Sequence, residues 1–264
     1  MQTLDALEDL GKLGKGASAS HYFKCSDNRV YVVKLFEQPG NKTVANELLG
    51  FSLATELTLP VPNIVFVQIP QQLINLSEEL RQRAITPRLH IGSERIENAF
   101  DFDNPMASNL PSSATIVNES DLPGVIVLDN WILNCDRNNL GNNLLQVIQS
   151  ARFRYLMVDF SHCFTDPNWT EQTLIQNKLN TNMMPTFPFI GNMVRSADSF
   201  DESLSKLEGL PDGRIDSIVG MLPPDWKLTD GELQGMREFL KYRKATVRNV
   251  LLDPKNRGNF PNWR

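Results

Sequence analysis

Three cysteines among 264 residues are too few for a disulfide framework. Cys25, Cys135 and Cys163 are odd in number and lack paired spacing, so no zinc pattern is present either. The compartment expected from this usage is the reducing cytoplasm. Long apolar runs are also missing. None approaches the roughly 18 residues that a membrane span needs, and the acidic stretch MQTLDALEDLGKLG has no signal-peptide pattern. Basic charge is not in excess: 26 Lys and Arg face 31 Asp and Glu, for a net charge of −5 at pH 7. A dedicated nucleic-acid binder is disfavoured by that balance. Neither a membrane partner nor direct nucleic-acid binding is therefore expected. The rest of the composition is that of an ordinary globular protein, long enough for one large domain or two small ones.

What is present is concentrated in one stretch, LNCDRNNLGNNLLQVIQSARFRYLMVDFSHCF, from Leu133 to Phe164. Asp136 stands in a polar loop with Asn138, Asn139, Asn142 and Asn143. Two apolar runs follow, joined by a short polar turn, and the second ends in Asp159. A hairpin of this kind holds two acids near one another. Phosphoryl transfer from Mg-ATP needs such a set: one carboxylate to orient or deprotonate a hydroxyl, and an amide and a second carboxylate to hold Mg²⁺.

The first ninety residues supply complementary groups. Gly14 to Ser18 is a glycine-rich turn between alternating segments. It is either a plain hairpin turn or a loop that lays backbone N–H groups against phosphates. In VYVVKLF a period of two puts Val32, Lys34 and Phe36 on one face. A lysine among such neighbours either snorkels to solvent or has a buried anionic partner. Asn41 is placed to cap a helix through NKTVANELLGFSLATEL, on which Glu47 lies beside the apolar stripe. Glu47 is either a solvated helix residue or the carboxylate that pairs with Lys34. IVFVQI reads as a further strand, Gln71 to Arg83 as an exposed polar helix, and Leu89-His90-Ile91-Gly92 as a connector.

From Ser93 to Leu122 the chain is rich in Asn, Asp, Pro and Ser, as in an insertion or a substrate-facing loop. Asp121 to Asn134 has helical spacing and delivers Asp136 to a fixed place. Near the end, Trp226 after a Pro-Pro turn reads as a packing anchor, and Thr229 with Glu232 as a capping box. The long helix that follows carries Arg237, Lys241, Arg243, Lys244 and Arg248, which read as its solvated side. His21, His90 and His162 are too scattered for a metal site. His162 reads as a structural hydrogen-bonder, or else as a contact to Asp159 or to a phosphate.

The segments NRVYVVKLF, TVANELLGFSLATELTLPVPNIV, LDNWILNCDRNNLGNNLL, YLMVDFSHCF and MLPPDWKL make the sequence resemble the HipA-like kinases. That family is an atypical branch of the protein-kinase-like fold, related to phosphatidylinositol kinases. The resemblance implies an α+β, two-lobed protein-kinase-like fold with a small β-rich N-lobe (1–92) and a mainly helical C-lobe (93–264). It implies an ATP- and Mg²⁺-dependent kinase acting on a protein Ser or Thr hydroxyl, with a protein substrate or a cognate regulator as partner. Under it Asp136 is the catalytic base, Asn142 and Asp159 are the metal ligands, and Lys34 contacts the phosphates. Glu47 anchors Lys34, and Gly14, Gly16 and Ser18 cover the nucleotide. Two positions depart from the pattern. Gly141 stands where the family has its metal Asn, which moves that role to Asn142 with Asn143 or Asn139 as alternatives, and Ser161 replaces the usual glycine after the metal Asp. Other readings of the same residues are a lipid or small-molecule kinase and a nucleotide-binding pseudokinase acting by contact.

Overall fold

A computed structural model describes residues 1–13, 20–37, 41–101, 116–137, 143–149 and 152–264. The expected phosphate-loop residues Gly14, Gly16 and Ser18, and the expected metal ligand Asn142, lie outside these residues.

The first part of the chain forms a closed barrel. Its elements are β1 (Thr3–Lys12), β2 (His21–Cys25), β3 (Val30–Lys34), α1 (Thr43–Glu56), β4 (Ile64–Gln68), α2 (Gln71–Leu76), α3 (Glu78–Gln82) and β5 (Leu89–Glu94). The strand order is β1-β2-β3-β5-β4, closed by parallel pairing of β1 with β4. The alternation seen in the sequence sets its two faces. Phe23, Cys25, Tyr31 and Val33 fill the interior with Val65 and Val67, while Val32 and Lys34 point the other way. The Ser-Asp-Asn turn is made as its residues dictate: Asp27 Oδ1 accepts from the Arg29 N–H at 3.0 Å, and Asn28 takes a left-handed φ of 66°. Leu89 to Gly92 is not a connector. It lies in β5, paired with both β3 and β4. The single exposed helix expected over residues 71–83 is two short ones, which bury Ile74 and Leu80 against the barrel interior.

After β6 (Ala99–Asp101), α4 (Leu122–Trp131) leads to the hairpin of β7 (Leu144–Gln149) and β8 (Arg152–Met157). These strands form a second sheet, β6-β7-β8. Every residue of α4 is buried, including Asp129 and Asn130, which are hydrogen-bonded where they are buried. Then come α5 (Glu171–Asn177), α6 (Pro188–Gly191), α7 (Asp201–Gly209), α8 (Asp212–Val219) and α9 (Asp230–Leu252). Thr229 and Glu232 make the expected capping box at the start of α9. No helix among the described residues is long and apolar enough to cross a membrane.

The basic side of α9 is not simply solvated. Arg243 is fully buried. Its Nε donates to Trp131 O at 2.9 Å and Asn130 O at 3.2 Å, and its Nη1 to Asn180 O at 2.8 Å. The last carbonyls of α4 have no helical partner, and a cation there also meets the negative end of the helix dipole. Lys241 and Lys244 pair with Asp216 and Asp212 on α8, and Arg248 with Glu208. Trp226 is the anchor its position implied. It stacks on Phe36, meets Phe66 edge-on, and donates Nε1–H to Leu89 O at 2.9 Å, tying the helical region to the barrel.

Candidate active site

Lys34 ends β3 on the face that looks away from the barrel interior. Its Nζ meets Glu47 Oε1 of α1 and lies 2.5 Å from Asp159 Oδ1, beyond the end of β8. Glu47 is only 2% exposed, so the ion-paired reading of this residue holds and the solvated one does not. Glu47 Oε1 also accepts the Phe160 N–H at 3.0 Å. Three groups far apart in the chain thus share one point.

Asp159 gets there by an unusual backbone step. The Met157 N–H donates to Pro60 O at 2.7 Å and the Val158 N–H to Asn143 O at 3.1 Å. Asp159 itself then adopts φ 57°, a left-handed conformation that costs a non-glycine residue on the order of 1 kcal/mol and clusters at functional sites. The loop before Asp136 is stapled to the segment after Asp159. Phe164 N–H donates to Ile132 O at 2.7 Å and Thr165 N–H to Leu133 O at 3.2 Å. Leu133, Phe164 and Thr165 all have positive φ as well.

Asp136 is set by its neighbours. Asn143 Nδ2 donates to Asp136 Oδ2 at 3.1 Å, and His162 Nδ1 is 3.4 Å from the same oxygen. Arg137, next in sequence, is buried. Its Nε bonds Asp129 Oδ2 of α4 at 2.9 Å, while Nη1 donates to Asn143 O. Arg137 therefore ties the loop to both α4 and the hairpin. Ser161 links the two acids: its hydroxyl donates to Asp159 Oδ1 at 2.5 Å and lies 3.1 Å from His162 Nδ1. A continuous chain of contacts thus runs Asp159–Ser161–His162–Asp136.

The charges do not balance at Lys34, where one cation faces two carboxylates. Burial disfavours its charge, but Glu47 and Asp159 outweigh burial and hold its pKa above the ordinary lysine value. Burial would likewise raise Asp159, yet Lys34 and the hydrogen bonds from Lys34 and Ser161 hold it well below the usual carboxylate range. Glu47 is pushed up to about 7, because burial exceeds the pull of Lys34 and Asp159 adds to the rise. Of the two carboxylates, Asp159 is the more strongly acidic, and Lys34 pairs with both.

Among the described residues no three His, Cys, Asp or Glu gather as a metal site on their own. The donors fit a hard divalent cation in another way. Asp159 offers an oxygen ligand on a side chain 30% exposed, and such a cation binds through one or two carboxylates together with water and substrate phosphates. Asn143, one alternative to Asn142, spends its amide N–H on Asp136. Sequence reasoning named Lys34, Glu47, Asp136 and Asp159, and the structure gathers Lys34, Glu47 and Asp159. The hydrogen-bonding role read for His162 is present, whereas the parts played by Ser161 and Arg137, and that of Asn143 as a donor to Asp136, were missed. The one available signal was Ser161 standing where a glycine was expected.

A strand lysine paired with a helix glutamate, facing a post-hairpin aspartate and a loop aspartate, is the working arrangement of kinases, and comparison with known proteins agrees on that class. The chain belongs to the HipA-like kinase family, whose sequence profile matches residues 8–256. The proinflammatory kinase CtkA of Helicobacter pylori is similar in structure, with a TM-score of 0.61 at 13% identity, over 90% of this chain and 92% of that one. Hydra Fam20, solved with sugar, has a TM-score of 0.50 at 12% identity, over 97% of this chain and 88% of its own. These likenesses concern the fold. A search of curated protein sequences found no match.

Proposed function

We propose that the protein is an ATP- and Mg²⁺-dependent kinase that transfers the γ-phosphate to a Ser or Thr hydroxyl of a protein. Residues 1–92, which build most of the barrel, serve as the ATP-binding lobe and residues 93–264 as the catalytic lobe; the last barrel strand, β5, runs on to Glu94. The observation that carries this reading is Lys34 joined at once to Glu47 and Asp159.

In this reading Lys34 holds the α- and β-phosphates, and Glu47 of α1 fixes the Lys34 side chain. Gly14, Gly16 and Ser18 cover the phosphates. Asp159 and Asn142 hold the metal, which when bound neutralises charge on the phosphate oxygens. Asp136 accepts the proton of the attacking hydroxyl as its oxygen bonds to the γ-phosphorus and the bridging oxygen leaves with ADP. Asn143 and His162 keep Asp136 aimed at that hydroxyl. The Ser161 hydroxyl adds to Lys34 in favouring the ionised form of Asp159, the form that would hold a metal. We place the protein in the cytoplasm, with its acceptor or a cognate regulator as its protein partner.

The test is phosphotransfer from γ-labelled ATP. Asp136→Ala and Asp159→Ala each lower transfer by at least about a hundredfold, while circular dichroism and the urea midpoint stay near wild type. Wild-type phosphorylation by either folded variant would sink the assignment.

A further inference from the structure

The helix that carries Glu47 is tied to the helical region along its whole length. Just before it, Lys42 is 7% exposed. Its Nζ pairs with Glu232 of α9 at 2.8 Å and sits 4.8 Å over the ring of Trp169. One turn on, Asn46 is fully buried and uses both ends of its amide. Nδ2 donates to Ser161 O at 2.7 Å and Cys163 O at 3.1 Å, and Oδ1 accepts from Trp169 Nε1 at 2.7 Å. Another turn on, Gly50 lies so close to Phe160 that a Cβ would fall 2.4 Å from its ring. At the far end Glu56 binds Arg214 of α8 at 2.6 Å.

Kinases commonly control activity by moving the helix that bears this glutamate, which makes or breaks its pair with the lysine. A shift of α1 by one turn would strip Asn46 of its three bonds and leave the Ser161 and Cys163 carbonyls without that donor. It would also pull the largely buried Lys42 from a carboxylate and an aromatic face. We propose that Lys42 and Asn46 are positioning residues that lock α1 to the Asp159 segment and to α9. The Lys34–Glu47 pair is then a permanent part of the fold and not a switch, and control of the enzyme acts elsewhere. The inference rests on the kinase reading for its meaning and on geometry alone for its truth.

Amide hydrogen exchange on the full chain, with and without Mg-ADP, tests it over residues 44–56. Protection of α1 stays the same within about twofold in the two states. Asn46→Ala speeds exchange in α1 and at residues 160–163 by about tenfold or more, leaves α8 and the second half of α9 as in wild type, and lowers kcat for Mg-ATP consumption about tenfold with KM for ATP within about threefold. Trp169→Phe removes the indole donor to Asn46 together with part of the ring under Lys42 and gives the same changes at smaller size, so it decides the matter if Asn46→Ala does not fold. Protection of α1 that rises tenfold or more on adding nucleotide, or wild-type exchange and kcat in the folded variants, overturns the lock. Exchange is read without turnover, so a chain that consumes no ATP would count against the kinase reading alone.

Discussion

Replacing Arg243 with Met keeps the length of the side chain and removes five N–H donors from a fully buried site. Three carbonyls, those of Asn130, Trp131 and Asn180, lose a charged donor. At about 1.5–3 kcal/mol for each bond to a charged group, the gross loss is roughly 4–9 kcal/mol. Against it stands the cost of burying the guanidinium. Burial pushes its pKa down from 12.5 to about 10, which corresponds to about 3 kcal/mol that Met would recover. The net loss expected for Arg243→Met is about 2–6 kcal/mol, a large part of the roughly 5–15 kcal/mol that holds a typical domain folded. Urea unfolding followed by far-UV circular dichroism measures it, as a lower midpoint at unchanged slope. Because α4 runs straight into the Leu133–Asp136 loop, activity per folded molecule falls as well. A Met variant within about 0.5 kcal/mol of wild type would refute the account, since that is the range of an ordinary surface change.

The two further predictions concern His90 and Ser161. His90 is held down from 6.5 to about 3, first by burial and then by the nearby Arg88. The unfolded chain therefore takes up this proton near pH 6.5 and the folded chain only near pH 3. Its contribution to stability is full above pH 6.5 and is lost as pH falls toward 3, with a slope of at most about 1.4 kcal/mol per pH unit. His90→Asn, which keeps an acceptor for the Phe36 N–H, flattens the fall of the urea midpoint over that window, and an unchanged slope would count against it. Ser161→Gly removes one hydrogen bond to Asp159 worth about 1 kcal/mol and so weakens Mg-ADP binding about fivefold by calorimetry. Wild-type affinity in that variant would mean that Ser161 plays no part in holding Asp159.

Much of this site was legible because its residues break a local rule. Lys34 interrupts an apolar face of a strand, Glu47 borders an apolar stripe of a helix, and Asp159 ends a hydrophobic run; each demands a partner. The barrel strands were legible for the same reason, through their period of two. Arg243 broke no rule in sequence. A basic residue on a long helix reads as solvated, and only packing reveals that α4 ends against it. Leu89 to Gly92 was lost because four residues are too few for a period to show. The contacts from Ser161 and His162 to the acids depend on the left-handed turn at Asp159, which spacing does not reveal in a non-glycine residue.

The ties of α1 also bear on how the protein is made. Lys34 and Asp159 are 125 positions apart, Asn46 and Trp169 are 123 apart, and Glu56 and Arg214 are 158 apart. Contacts of such range form late, because the entropy of closing long loops must be met before they contribute. On a growing chain the barrel strands are complete long before Glu232, the partner of Lys42, has been added. A chain cut short before α9 would hold every candidate catalytic residue and still lack the frame that aligns them. The frame that aligns the candidate catalytic residues is therefore complete only once α9 has been added.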